Sequence, residues 1–315
     1  MKTGIFILSS KSRKSQLKNC LYFLFKNYNK TFNHDVFIMT PDYDDEDKDE
    51  ISLSIRENNR SCINFKDINL KTPDNLDMDK VSKIISCEIT SNWGDINDRN
   101  KNHFWMFDFW NQIGHEFDYV MKMDDDVIIE EPLKEDLFKI IDNRALNILF
   151  CTLTTLCSIG TFGMKNFLIA NFQSETDKIN QYMTSTKIAD TNTIQSFKTL
   201  HKTVFDKDYP HKEVELFQPI VPSDSLMIIR TSFYTGDKFK PFLKKIEELK
   251  YTYYLKWSIG LVLPLLSVLI TPDKVTRTLF NISKETHRYV LKNENRKILN
   301  HVPSDYSHTG CVSST

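Results

Sequence analysis

Glycine and proline are scarce in this 315-residue chain, at 8 and 10 residues. That excludes collagen-like repeats and long Gly/Pro-rich linkers. Cysteine is sparser still. Cys20, Cys62, Cys87, Cys151, Cys157 and Cys311 are widely scattered, with no CxxC pair and no histidine beside them at zinc spacing. A structural zinc site is therefore not expected, and dispersed buried thiols are expected in place of a disulfide framework. Charge of one sign is missing as well. The 41 basic and 42 acidic residues leave a formal net charge of −1, so nucleic acid is not an expected partner. Long hydrophobic runs are absent too. Ile5-Phe6-Ile7-Leu8 is too short for the apolar region of a signal peptide. The run 259–270 is interrupted by Pro264 and falls short of the ~20 residues a membrane span needs. The expectation is a soluble, cytoplasmic protein with no membrane span of its own.

What is present suits a sizeable α/β core. The chain is 40% hydrophobic and 12% aromatic. Gly4-Ile5-Phe6-Ile7-Leu8 reads as a buried parallel strand, followed by the basic turn Ser9 to Lys14. Leu17, Cys20, Leu21, Leu24 and Phe25 then recur at helical spacing. Asp35-Val36-Phe37-Ile38-Met39 is a second strand, so the segment predicts a right-handed βαβ unit. The acidic run Asp42 to Glu50 predicts a solvated loop. His103 to Ile113 predicts a buried aromatic helix, Leu226 to Ile229 a strand, Lys238 to Leu249 an amphipathic helix, and Tyr253 to Ile270 a buried helix. The polar stretch 291–315 predicts a flexible tail.

The segment that carries chemistry is Phe117 to Val127. A strand-like apolar run ends abruptly in Asp124-Asp125-Asp126 and resumes as Val127-Ile128-Ile129. Adjacent carboxylates repel, and a divalent cation removes that cost. Open α/β sheets bind ligands at the carboxyl ends of their strands, where this cluster falls. A diphosphate leaving group needs the same cation to neutralise its developing charge. Asp126 is thus the expected direct metal contact, Asp124 a second ligand or a ribose contact, and Asp125 an orienting group for the nucleotide. The turn Ser9-Ser10-Lys11-Ser12-Arg13 is a candidate for the nucleotide or diphosphate, through backbone amides with Lys11 or Arg13.

With these residues in place, the chain resembles the fungal α-1,2-mannosyltransferases of glycosyltransferase family 15 over most of residues 1–290. The segment Tyr28 to Ile38 is similar to the family's approach to its second strand. Tyr119 to Val127 is similar to "YYWRxEPDV", with Asp124 on the Glu and Asp126 on the Asp. Ile229 to Tyr234 is similar to "FFRSxxY", Tyr253 to Trp257 to "YYERW", and Thr286 to Val290 to "YxHxPY".

The resemblance implies a GT-A-type, Rossmann-like α/β domain over residues 1–290, with a mixed central sheet flanked by helices. It implies a nucleoside-diphosphate-sugar donor, GDP- or UDP-linked, Mn²⁺ (or Mg²⁺), a glycan or protein hydroxyl as acceptor, and retention of anomeric configuration. By position, His287 becomes a further metal ligand. Tyr254 and Trp257 become candidates for the acceptor wall. The chain departs from the pattern in two places. The family's Trp-Gly-Asp reads Trp257-Ser258-Ile259, and no Glu precedes Ile229 in register, which leaves Asp224 as the nearest carboxylate for the catalytic role. No family-type membrane anchor is seen, and the Lys/Asn/Ile bias points to an AT-rich genome such as that of a large virus or a protist. Two other readings fit the cluster: an inactive nucleotide-sugar-binding module, and a metal-dependent nuclease or phosphatase.

Overall fold

The computed structural model describes residues 1–55, 62–87, 94–151, 153–155, 161–182, 185–187, 191–209, 215–217, 220–271, 275–277 and 282–284. Thirteen strands lie within them: β1 (Thr3–Leu8), β2 (Val36–Thr40), β3 (Ile63–Asp67), β4 (Tyr119–Asp124), β5 (Val127–Ile129), β6 (Ile148–Phe150), β7 (Leu153–Thr155), β8 (Ser185–Lys187), β9 (Glu215–Phe217), β10 (Ile220–Pro222), β11 (Leu226–Arg230), β12 (Val275–Arg277) and β13 (Ile282–Lys284). Seven of them form one mixed sheet in the order β12-β6-β11-β4-β1-β2-β3, and three two-stranded ribbons pair β10 with β7, β13 with β5 and β8 with β9.

The βαβ unit is present as the periodicity predicts. β1 and β2 pair in parallel, and the helix Lys14–Leu24 between them buries Leu17, Cys20, Leu21 and Leu24. That helix continues through a π-turn, Phe25–Asn29, and ends where Asn33 adopts φ 55°. Asn tolerates the left-handed region better than most side chains, which makes it a natural stop.

Successive residues of a strand point to opposite faces, so each strand feeds two cores. On β1, Ile5 and Ile7 join a layer with Leu17, Leu21, Met121, Met123 and Phe138. Phe6 joins the other layer with Phe109, Phe117, Val120, Met227 and Trp257. Aromatic edges lock this second layer, with Phe6 4.9 Å from Phe109 and 5.0 Å from Phe117 between ring centroids.

Two local readings differ in the structure, and a third gains detail. The acidic run is not a loop throughout: Asp45–Leu53 is a helix, capped by Asp44, which accepts from Asp47 N while the Asp47 side chain accepts from Asp44 N. Acids in a first helical turn complement the helix dipole, and Lys11, Lys14 and Lys18 pair with Asp44, Asp47 and Glu50 from the neighbouring helix. The buried aromatic helix expected over 103–113 is present, with its aromatic side chains in the core. It runs from the helix Ile96–His103 through a π-turn, Phe104–Asp108, into Phe109–Gln112. The continuous helix expected from Tyr253 to Ile270 is broken into Tyr251–Tyr254 and Ile259–Ile270, with Lys256 at φ 53° between them. The break turns Trp257 into the core, against Tyr251 (4.6 Å) and Phe167 (5.3 Å). The expected boundary at 290 and the tail 291–315 lie outside the described residues. No helix among the described residues is long and apolar enough to cross a membrane.

Candidate active site

Strand order brings the chemistry together. β1 and β4 are parallel neighbours with Leu8 opposite Asp124, so both strands deliver their carboxyl ends to one edge. β11 runs antiparallel to β4 with Leu226 opposite Met123, so its start arrives at the same edge. The turn before β11 therefore sets Asp224 beside Asp124, and Asp124 N donates to Ser225 O at 2.8 Å.

The three aspartates are not left to repel one another. Asp125 is 4% exposed and Asp126 7% exposed. Arg13 donates through Nε to both Asp125 oxygens (2.8 and 2.9 Å) and through a terminal nitrogen to Oδ1 (2.6 Å). The same nitrogen lies 3.1 Å from Asp126 Oδ2. Ser9 Oγ donates to Asp125 Oδ2 at 2.8 Å and lies 3.0 Å from the Tyr43 hydroxyl. Burial pushes the Asp125 carboxyl above its ordinary value, against the opposing bonds from Arg13 and Ser9, and the Asp125 bond in turn holds Arg13 protonated. On the other side, Lys122 Nζ donates to Asp124 Oδ1 (2.9 Å) and to Asp224 O (2.6 Å). Part of the compensation that sequence reasoning assigned to a metal is thus supplied by Arg13 and Lys122.

Around this edge opens a cavity of about 480 Å³, within the range of small-ligand sites. Ser9, Ser10, Arg13, Asp124, Asp125, Asp126 and Asp224 all line it. Lys11 does not; it is exposed and paired to Asp44 (2.6 Å) and Asp47 (3.1 Å). The acceptor wall expected of Tyr254 and Trp257 is corrected. Trp257 is fully buried, with Nε1 donating to Phe162 O at 3.3 Å, and Tyr254 packs under Lys80, 4.9 Å from its ring centroid. Helical spacing alone does not separate a core aromatic from a cavity aromatic. His287 lies outside the described residues.

Sequence reasoning missed other residues that line the cavity: Asp98, Lys101 and Asn102 from the helix Ile96–His103, then Trp105 and Lys256. Lys101 and Lys256 both approach Asp98, at 3.8 and 3.7 Å. Lys122 was legible in principle, because a lysine inside an otherwise apolar strand needs a buried partner. The helix residues sit in a polar stretch with no periodic signal, and only the fold turns them inward.

Among the described residues, no three His, Cys, Asp or Glu side chains gather closely enough to hold a metal by themselves. The donor chemistry nevertheless fits a hard cation shared with phosphate. Asp124, 30% exposed, and Asp126 bring carboxylate oxygens to the cavity, and magnesium-like ions commonly take one or two carboxylates and complete their shell with phosphate oxygens.

The chain is a single α/β domain with a mixed sheet flanked by helices, GT-A-like in fold, and its acidic turn faces the cavity at the strand ends. Solved structures bear this out. The mannosyltransferase Ktr4p from S. cerevisiae is similar with a TM-score of 0.70 at 14% identity, over 90% of this chain and 70% of that one. Its complex with GDP gives 0.66 at 13% identity, over 84% of this chain and 66% of that one. The Mn/GDP form of core-mannan synthase A from Aspergillus fumigatus gives 0.68 at 10% identity, over 90% and 75%. The chain thus spans about two thirds of the length of the GDP-bound yeast structure. No family model matches the sequence, and no curated protein matches it in sequence either.

Proposed function

We propose that this chain is a glycosyltransferase that moves a sugar, mannose in the first instance, from a nucleoside diphosphate sugar to a hydroxyl of a glycan or protein. The observation that carries the reading is the convergence of Asp124, Asp126, Arg13 and Asp224 on one cavity at the carboxyl ends of β1 and β4. The GDP and Mn/GDP contents of the similar fungal structures favour GDP-mannose as the first donor to test.

In this reading Ser9, Ser10 and the Arg13 guanidinium face the nucleotide and its diphosphate, and Arg13 takes part of the phosphate charge while Asp125 keeps its plane fixed. Asp124 and Asp126 would hold Mn²⁺ or Mg²⁺, with His287 as a further ligand, and the cation supplies charge neutralisation at the leaving diphosphate. The anomeric carbon–oxygen bond breaks with its electron pair leaving on the diphosphate. The acceptor oxygen forms the new glycosidic bond on the same face, and its proton passes to the departing phosphate oxygen, so configuration is retained. Asp224 stabilises the positive charge that builds on the sugar carbon. Trp105, Asn102 and Lys256 replace Tyr254 and Trp257 as the wall offered to the acceptor.

The test is transfer and donor hydrolysis with a panel of GDP- and UDP-sugars, in MnCl₂ and in EDTA. Nucleoside diphosphate should be released only with the cation, and Asp126→Asn should lower turnover by on the order of 100-fold or more. Activity that survives both the chelator and Asp126→Asn sinks the metal role. Release of nucleoside monophosphate would indicate phosphodiester chemistry instead.

A further inference from the structure

Asp224 owes its place to two residues, Gly260 and Lys122. It lies in the turn Ser223-Asp224-Ser225 between β10 and β11, where Ser223 Oγ donates to Ser225 Oγ at 2.9 Å. Its side chain, 36% exposed, leans across Gly260, the second residue of the helix Ile259–Ile270. A Cβ placed on Gly260 would stand 2.4 Å from Asp224 Cγ and 2.7 Å from both Cβ and Oδ2. Side chains do not approach that closely. Gly260 is buried and does not carry a positive φ, so its backbone conformation makes no demand for glycine. Only the missing side chain does. Within a helix alanine is otherwise the better residue, so glycine here runs against local propensity in favour of the space Asp224 fills.

The second contact comes from the sheet. Lys122 is 4% exposed and points from β4 to the Trp105 face of the sheet, 5.3 Å from that ring's centroid. Its ammonium donates to Asp224 O at 2.6 Å and to Asp124 Oδ1 at 2.9 Å, and lies 3.7 Å from Asp224 Oδ2. One buried cation therefore ties the carboxylate on the diphosphate side to the one on the sugar side.

We propose that Gly260 and Lys122 are positioning residues that hold Asp224 against the reacting sugar, Gly260 by leaving the gap its side chain occupies and Lys122 by fixing its backbone and its distance from Asp124. The proposal rests on the transferase reading above and assigns the two residues no contact with the reacting atoms. Displacing Asp224 by part of an ångström is expected to slow turnover and to leave nucleotide binding in place, because the nucleotide side of the cavity is built from β1 and the aspartate turn.

The experiment compares wild type with Gly260→Ala, Asp224→Gly, the double variant and Lys122→Arg. Each is followed by calorimetric titration of GDP with MnCl₂, by kcat and KM for GDP-mannose, and by thermal unfolding. Gly260→Ala should cut kcat by about 100-fold while KM and GDP affinity stay within about threefold of wild type. Its melting point should fall by roughly 2–6 °C, and in the Asp224→Gly background the same change should lower the melting point no further or raise it. Lys122→Arg, which keeps the charge, should retain more turnover than any Asp224 variant. A Gly260→Ala protein as active as wild type, or one equally destabilised in both backgrounds, overturns the proposal. If wild type neither binds GDP nor turns over donor, the transferase reading fails. The melting cycle still decides whether Gly260 makes the place for Asp224.

Discussion

Replacing Arg13 by methionine removes the cation that holds the aspartate turn while keeping most of the apolar stem. Breaking a buried ion pair from one side costs about 3–5 kcal/mol, because the remaining charge is left without compensation. Asp125 is buried on that scale, at 4% exposure, and loses three hydrogen-bond contacts between 2.6 and 2.9 Å. Arg13 itself is 34% exposed, so solvent screens part of the interaction. Ser9 Oγ also remains on Asp125 Oδ2 at 2.8 Å. Discounted for both, the expected loss is about 2 kcal/mol. Urea unfolding at neutral pH measures it through the midpoint at constant m. The double variant Arg13→Met with Asp125→Asn removes one of the two carboxylate charges Arg13 serves, leaving Asp126, which sat 3.1 Å from the guanidinium, and should recover about half of the loss. Arg13→Lys should fall between the two, since an ammonium cannot reproduce the two-pronged guanidinium contact. An Arg13→Met protein within about 0.5 kcal/mol of wild type, or two substitutions that simply add, would show that Arg13 does not hold the aspartate turn.

Two further outcomes follow from buried groups. His103 is 7% exposed, with Nδ1 3.4 Å from Thr252 Oγ1, and burial, with a smaller push from Lys250, lowers it from 6.5 to about 4. The unfolded chain therefore binds a proton between those values and the folded one does not, so stability is full above pH 6.5 and falls as pH drops towards 4. The total loss should reach roughly 3 kcal/mol, and urea titrations of His103→Gln across that window should show a flatter dependence; a parallel slope would exclude His103 as its source. Trp257→Ala should destabilise by about 3–5 kcal/mol as a core deletion, with Trp257→Phe much milder. A normal melting curve combined with a raised acceptor KM would restore Trp257 to the acceptor wall.

Much of the frame was legible from local pattern. The strand β1, its amphipathic helix and β2 announce themselves because burying one face requires apolar residues at the matching period. The aspartates after a strand were equally visible, since charge at the end of an apolar run is costly wherever the chain folds. β3 was not foreseen, because its residues alternate between half-buried and exposed and carry little apolar signal. Nor was the break at Lys256, since a positive φ in a lysine has no composition cue and is imposed by the burial of Trp257 beside it.

The sequence by itself determined which stretches must be buried, where the acidic turn falls and that charge there needs an opposite charge, because each of these follows from neighbours along the chain. The tertiary structure alone decided which cations answer it. Arg13 and Asp125 are separated by 112 residues, and Lys122 and Asp224 by 102. No periodicity spans such distances; they close only because β1, β4 and β11 lie side by side in one sheet, which also turns Trp257 away from the cavity and sets Gly260 under Asp224.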